Sequence, residues 1–242
     1  MLYIIDDGSA DNTISIIEKY CQKYKNIIFL QNNYKGSKSI GSFMWLVENI
    51  DSDYYFFSDH DDVWVKNKVE LTLNRILNLE SLNPNTPIIV HSDLIIVDKN
   101  LNLINNSFWN FSKINPNILN NFNYLAVHNG VVGCTMAFNK LAKLSIKPQN
   151  ETSIMHDSWI TLNVLKSNGI VNHLNQSLTL YRQHEKNVIG AKLENISLKL
   201  LSIDKLIDAI INNYNRFKMI NTIQKFNIVK YVYFKLKYYL IR

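Results

Sequence analysis

The 242-residue chain is poor in turn formers, with seven glycines and four prolines, and has only two cysteines, Cys21 and Cys134. Collagen-like and Pro/Gly-rich disordered classes are thereby excluded. Without a CxxC pair or a Cys/His spacing, the two cysteines exclude a disulfide-stapled scaffold and a structural zinc site, and they predict buried free thiols in a reducing compartment. No apolar run reaches the roughly 18 residues of a membrane-crossing helix, and the N-terminus lacks a signal-peptide pattern. A cytoplasmic location is expected. Acid is locally scarce too: residues 100–150 contain no Asp or Glu, and residues 193–242 contain only Glu194, Asp204 and Asp208.

What is present suffices for a core: 47% hydrophobic against 19% charged residues, outside the disordered regime. The length suits one large α/β unit with an appendage. The formal charge of +6 resides wholly in residues 193–242, where nine Lys or Arg face three acids, so residues 1–192 are neutral. A basic, aromatic tail on a neutral body predicts a surface contact and no nucleic-acid partner. Within Lys225–Arg242 the spacing puts Val229, Val232, Leu236 and Leu240 on one helical face, flanked by Tyr233 and Tyr239. Two readings follow: a basic amphipathic helix peripheral to the inner face of an anionic membrane, or a face packed on the body.

Along the chain, Leu2-Tyr3-Ile4-Ile5 reads as a strand, followed by a helix that Ser9 could cap (Ile14, Ile17, Cys21, Tyr24) and a strand at Ile27–Leu30. A helix capped near Ser37 precedes the strand Tyr54–Phe57, which is too apolar to have a wet face. The alternation predicts a mostly parallel sheet covered on both sides. A third helix follows Trp64. Two short strands are expected at Ile88–His91 and Leu94–Val97, a clear strand at Val131–Phe138, a helix beginning near Asp157, and two more strands at Ile170–Leu174 and Leu178–Tyr181.

In such sheets ligands bind beyond the carboxyl ends of the strands, and two predicted strands end there in acid clusters. One is Asp6-Asp7-Gly8-Ser9; the other is Asp59-His60-Asp61-Asp62. Packed carboxylates repel unless a cation neutralises them, and hard oxygen ligands suit Mg²⁺ or Mn²⁺ together with a diphosphate. The competing reading is that Asp and Gly simply mark turns after strands.

Ile4-Ile5-Asp6-Asp7-Gly8-Ser9-Ala10-Asp11-Asn12-Thr13 resembles the nucleotide-binding signature of family 2 glycosyltransferases, and Asp59-His60-Asp61-Asp62 is similar to their aspartate-x-aspartate metal motif. The order of Phe57-Ser58-Asp59-His60-Asp61-Asp62-Val63-Trp64, Gly133-Cys134-Thr135-Met136, His156-Asp157-Ser158-Trp159 and Tyr181-Arg182-Gln183-His184 most resembles the bacterial rhamnosyltransferase-like branch, over about residues 2–190. The resemblance implies an α/β GT-A fold, with a Rossmann-like nucleotide half merged with an acceptor half. It implies a catalytic domain over 1–192, while the basic, aromatic helical tail expected over 193–242 lies outside it. The chain begins at what would be the family's second strand, so the first strand and its Pro-x-Tyr-Asn loop would be missing.

Carried over residue by residue, the resemblance assigns Asp6, Asp7, Asp59 and Arg182 to the nucleotide-sugar, Asp61 and His184 to a divalent metal (Mn²⁺ or Mg²⁺), and Asp157 to the catalytic base. His60, His91, His128 and His173 receive no role. The implied reaction is inverting transfer of a sugar, rhamnose being the branch's candidate, from a nucleotide-diphosphate sugar to a surface-polysaccharide or glycolipid precursor. Two alternatives stay open: an inactive, truncated glycosyltransferase-like domain that only binds a partner, and a metal-dependent phosphohydrolase with an aspartyl nucleophile.

Overall fold

The computed structural model describes residues 1–30, 38–150, 152–183 and 203–242. Its contacts divide the chain into two units, Met1–Asp51 and Ser52–Arg242. In the first, β1 (Leu2–Ile5) and β2 (Ile27–Leu30) pair in parallel, Leu2 opposite Ile27 and Ile5 opposite Leu30, with α1 (Thr13–Lys23) as the crossover that a parallel pair requires. α1 starts later than a Ser9 cap would place it. Asp11 Oδ1 accepts from the Thr13 N–H at 3.0 Å and its hydroxyl at 2.6 Å, while Ser9 is held by Asp6. Ile17 and Cys21 are half-buried, but Ile14 and Tyr24 of the predicted face are exposed. α2 (Lys38–Asn49) buries Met44 and Val47; its expected cap at Ser37 lies outside the described residues.

The second unit runs β3 (Tyr54–Phe56), β4 (Val63–Trp64), α3 (Lys68–Leu82), β5 (Ile88–Val97), β6 (Leu103–Asn105), α4 (Phe108–Ser112), α5 (Phe122–Val127), β7 (Ala137–Asn139), α6 (Lys140–Ser145), α7 (His156–Lys166), β8 (Ile170–Arg182), α8 (Ile203–Ile223) and α9 (Ile228–Ile241). Its sheet has the order β3-β7-β5-β8-β4, with β6 also pairing with β5. The expected parallel pairing holds for β1–β2 and β5–β8; the other pairings are antiparallel. A continuous apolar run reports burial on both faces and leaves strand direction open, which is why the sequence overstates the parallel share.

Segments expected as strand pairs are single strands. β5 runs unbroken through Ser92 and Asp93, and β8 runs through exposed Asn175 and Gln176, where the register slips so that Ser92 faces Leu174 but Asp93 faces Ser177. Val131–Phe138 is instead a 3-10 turn over Gly133–Thr135 leading into β7. One side of the sheet packs on α3, with Ile88, Val90 and Ala137 against Ile76 and Leu79. α7 is buried on all sides from His156 to Val164, among β5, β8, α5, α6 and α8.

α8 and α9 pack on α5, and α8 also on α7, burying Met219, Ile220, Ile223, Phe226, Tyr231 and Tyr238. Asn227 caps α9 by accepting the Lys230 N–H at 2.7 Å. The inner stripe of α9 is therefore aromatic, with the Tyr231 hydroxyl donating to Asn213 Oδ1 at 3.0 Å and the Tyr238 ring stacked on His128 at 4.3 Å. The aliphatic stripe singled out in the sequence faces outward: Val229, Val232, Leu236 and Leu240 are 74%, 48%, 63% and 85% exposed. Tyrosine offers more area to bury than these aliphatic side chains, and it takes the interior face although only the Tyr231 hydroxyl finds a partner there, the Tyr238 hydroxyl being buried without one. No helix among the described residues is long and apolar enough to cross a membrane.

Candidate functional site

In the first unit, β1 ends at Ile5 and the chain turns around Asp6, whose carboxylate accepts from the Gly8 N–H at 2.9 Å, the Ser9 N–H at 2.8 Å and the Ser9 hydroxyl at 2.6 Å. Gly8 supplies the positive φ of 98°. Burial pushes the Asp6 carboxyl up, but those three hydrogen bonds outweigh it and hold the group below its ordinary value. Asp6 thus organises the turn, and Asp7 stands exposed on it.

In the second unit the chain leaves β3 through Phe57, crosses the acid turn Asp59–Asp62 and enters β4, which pairs antiparallel with β8, Val63 opposite Leu180. That pairing brings Arg182 onto the turn. Its N–H donates to Asp62 Oδ1 at 3.2 Å, its Nε to the Asp61 carbonyl at 2.8 Å and its Nη1 to the Lys99 carbonyl at 2.8 Å. The 3-10 turn then places Cys134 beside the acids, so that ligand atoms of Asp59, Asp62 and Cys134 lie within 4.8 Å of one another. Burial, then Asp62, raises the Asp59 carboxyl to about 6, with His156 and His60 opposing. Burial also raises Asp62, against the Cys134 thiol and the Arg182 N–H. Asp62 Oδ2 is buried with no hydrogen-bond partner.

Beneath these acids lies Lys68, 1% exposed at the start of α3. Its Nζ donates to the Cys134 carbonyl at 2.6 Å and the Thr179 hydroxyl at 2.8 Å, and it sits 4.1 Å from the Trp64 ring centre. Burial lowers it to about 8, against the pull of the Asp62 and Asp59 carboxylates. No local pattern marks this lysine for burial, because it follows Lys66 in what reads as a solvated helix start.

The third part is the start of α7. The His156 ring meets Phe57 edge-on at 5.2 Å, and burial lowers it to about 4 despite Asp59. Asp157, 4% exposed, accepts from Asn129 Nδ2 at 2.9 Å, the Gly133 N–H at 3.2 Å and the Ser158 N–H at 2.5 Å. Burial lifts its carboxyl to about 6, the hydrogen bonds and the Arg216 charge opposing. Gly133 is where the two segments touch: a Cβ there would stand well inside contact distance of His156 Nε2. Asp157 does not act as the N-cap of α7, a position held by Met155 without a side-chain bond.

Of the residues the sequence singles out, the second unit gathers Asp59 and Arg182 around the acid turn, with Asp61 in that turn and Asp157 on the adjoining helix; Asp6 and Asp7 belong to the first unit, and His184 lies outside the described residues. Among the described residues, Asp62 and Cys134 complete a close group with Asp59, and sequence reasoning reads Cys134 only as a buried thiol. Two carboxylates, one with an orphaned buried oxygen, fit a hard divalent ion. The thiol does not: burial and the neighbouring acids raise it well above its ordinary value, so it stays protonated.

A family profile for glycosyl transferase family 2 matches residues 2–143. The dTDP-rhamnosyl transferase RfbG of Shigella flexneri is 27% identical over 215 residues, which is 82% of this chain and 66% of that protein. Among solved structures, S. aureus TarS 1-349 in complex with UDP-GlcNAc aligns with a TM-score of 0.57 at 13% identity, over 98% of this chain and 62% of that one. TarS 1-349 alone aligns at 0.53 and 15% identity, over 74% and 50%. The chain therefore spans about two thirds or less of the proteins it matches. Its fold is the expected α/β GT-A class, and with the profile covering more than half of its residues, the chain belongs to glycosyl transferase family 2.

Proposed function

We propose that the chain is the catalytic part, over residues 1–192, of an inverting, metal-dependent transferase that moves a sugar, with rhamnose as the candidate, from a nucleotide-diphosphate sugar to a surface-polysaccharide or glycolipid precursor. The observation that carries this reading is Asp157: a buried carboxyl lifted to about 6 and aimed by three donors suits a base that must take a hydroxyl proton near neutral pH. Arg182, at the end of β8 beside the acid turn, would bind the donor diphosphate, Asp59 the ribose or the metal-bound phosphate, Asp6 and Asp7 the nucleoside, and Asp61 and His184, with the neighbouring Asp62 carboxylate, would hold Mg²⁺ or Mn²⁺. A bound divalent ion supplies charge to the departing diphosphate. Arg182 turns its guanidinium onto the carbonyls of residues 61 and 99, which fixes the turn and holds beside it a planar cation suited to phosphate oxygens. Family membership, and a first strand that ends in the adjacent aspartates Asp6 and Asp7 where an aspartyl phosphohydrolase needs Asp-x-Asp, both weigh against the phosphohydrolase alternative.

The tail over 193–242 is proposed as a peripheral membrane contact at the cytoplasmic face, supported by its outward aliphatic stripe and its basic charge. For the catalytic reading the test is calorimetry with UDP and dTDP, with and without Mn²⁺, on the native chain and on Asp61→Asn. Metal-dependent nucleotide binding that Asp61→Asn abolishes is expected. Absence of nucleotide binding at any metal concentration would favour the binding-only alternative.

A further inference from the structure

The geometry points to Arg216 and Lys235, in the two C-terminal helices, as positioning residues that hold the Asp157 carboxylate in place through α5. This rests on the reading of Asp157 as the base. The last carbonyls of α5, as of any α-helix, have no partners within the helix. The tail supplies them in order. Arg216 Nη2 donates to the Leu125 carbonyl at 2.5 Å and its Nε to the Ala126 carbonyl at 2.6 Å, and Lys235 Nζ donates to the Val127 carbonyl at 2.9 Å. Leu125, Ala126 and Val127 are themselves fully buried, so water cannot take over these bonds. Two cations at the negative end of a helix also complement its dipole, and the guanidinium fork fixes two adjacent carbonyls in one orientation.

The chain leaves this clamp through His128, whose ring is stacked on Tyr238 of α9, and the next residue is Asn129. Asn129 Nδ2 donates to Asp157 Oδ1, and Gly133, four residues on, donates its N–H to Oδ2. Two of the three donors that aim the carboxylate are thus carried by the segment that starts at the clamp. The side-chain oxygen of Asn129 is buried with no hydrogen-bond partner, so its amide is fixed by the Asp157 bond and by the backbone delivered from α5. Arg216 also adds a favourable charge toward Asp157, and the attraction acts on both groups. The tail is in this sense part of the site: its inner face sets where the base points.

The test uses the whole chain with Arg216→Met, Arg216→Lys and Lys235→Met. Two quantities are read: sugar transfer to acceptors in a membrane extract, split into kcat and donor KM, and hydrogen exchange of the Asn129 side-chain amide by NMR, assigned with Asn129→Ser. For Arg216→Met a fall in kcat of at least about tenfold is expected with donor KM within about twofold, together with faster Asn129 exchange, because a small misplacement of a reacting group costs rate and not donor affinity. Arg216→Lys, which keeps the charge but loses the fork, should fall between. A native-like kcat in both Arg216 variants, or an Asn129 amide as protected as in the native chain, overturns the proposal. Should Arg216→Met fail to fold, the Lys variant and Lys235→Met carry the same two readouts. Asp157→Asn separates the two failures: unchanged kcat there refutes the base reading, while the exchange result still judges the clamp.

Discussion

At the scale of single residues, the site stores like charge. Asp59 is lifted to about 6 by burial and then by Asp62, so the folded chain holds its proton more tightly than the unfolded chain, where the ordinary value is 3.8. The stabilising contribution of this group is therefore complete below about pH 4 and is lost as pH rises through 6. His91, His128 and His156, lowered by burial to about 3, 3 and 4, act in the opposite sense and lose their contribution as pH falls. The difference between native and Asp59→Asn reads this carboxyl together with its smaller pull on His156 and Lys68. Without metal, Asp59→Asn should gain stability relative to the native chain as pH goes from 4 to 7.5, by an amount on the order of 1–3 kcal/mol, since each tenfold change in proton affinity is worth about 1.4 kcal/mol. Thermal melting of both chains across that range is the measurement, and a constant difference between them would show that Asp59 is not raised.

At the scale of elements, the sequence reveals where strands and helices lie better than how they pair. Leu2–Ile5, Ile27–Leu30 and Tyr54–Phe56 are legible because a short apolar run bounded by Asp, Asn or Gly has few other uses. β8 reads as two strands because Asn175-Gln176 looks like a turn, whereas the strand absorbs both as a bulge. The acid turn and the Asp157 helix are legible as motifs. Lys68, Asn129 and Arg216 are not, since each gains its role from a partner 66, 28 or 90 residues away and no local pattern records such a pairing. On α9 the aliphatic period is plain in the sequence, but the buried face belongs to Tyr231 and Tyr238, because periodicity alone does not say which of two apolar stripes turns inward.

At the scale of the whole molecule, charge is divided by region: residues 1–192 are neutral, and no acidic residue follows Asp208. A basic surface with Val229, Leu236 and Leu240 projecting from it should bind vesicles containing anionic lipid, each lysine near the surface contributing on the order of 1 kcal/mol. Co-sedimentation is expected with anionic vesicles at low salt, weaker at high salt and weaker still for Leu236→Asp/Leu240→Asp, whose positions face away from the packed side. These substitutions leave Tyr231, Tyr238 and the α5 contacts in place, so they spare the fold in a way that deleting α9 would not. Binding that ignores lipid charge, or that survives the double substitution, would remove the membrane reading and leave the tail with its packing role alone.

The close approach at Gly133 gives the site a mechanical tolerance of a single hydrogen atom. The backbone there presses on the His156 ring from one side and hands its N–H to Asp157 on the other, and the ring is wedged edge-on against Phe57. A methyl group so close to Nε2 cannot be absorbed by a flexible tip, so either the ring or the turn must move, and the carboxylate's donor moves with the turn. Gly133→Ala is thus a purely steric lesion: it alters no charge and removes no polar atom. Its expected signature is a loss of about 1–3 kcal/mol in urea unfolding, as for overpacked interiors, with turnover falling while metal-dependent nucleotide binding persists. An alanine variant as stable and as active as the native chain would mean that the turn has play to spare; the expected outcome would supply an uncharged control against which every carboxylate substitution in the site can be read.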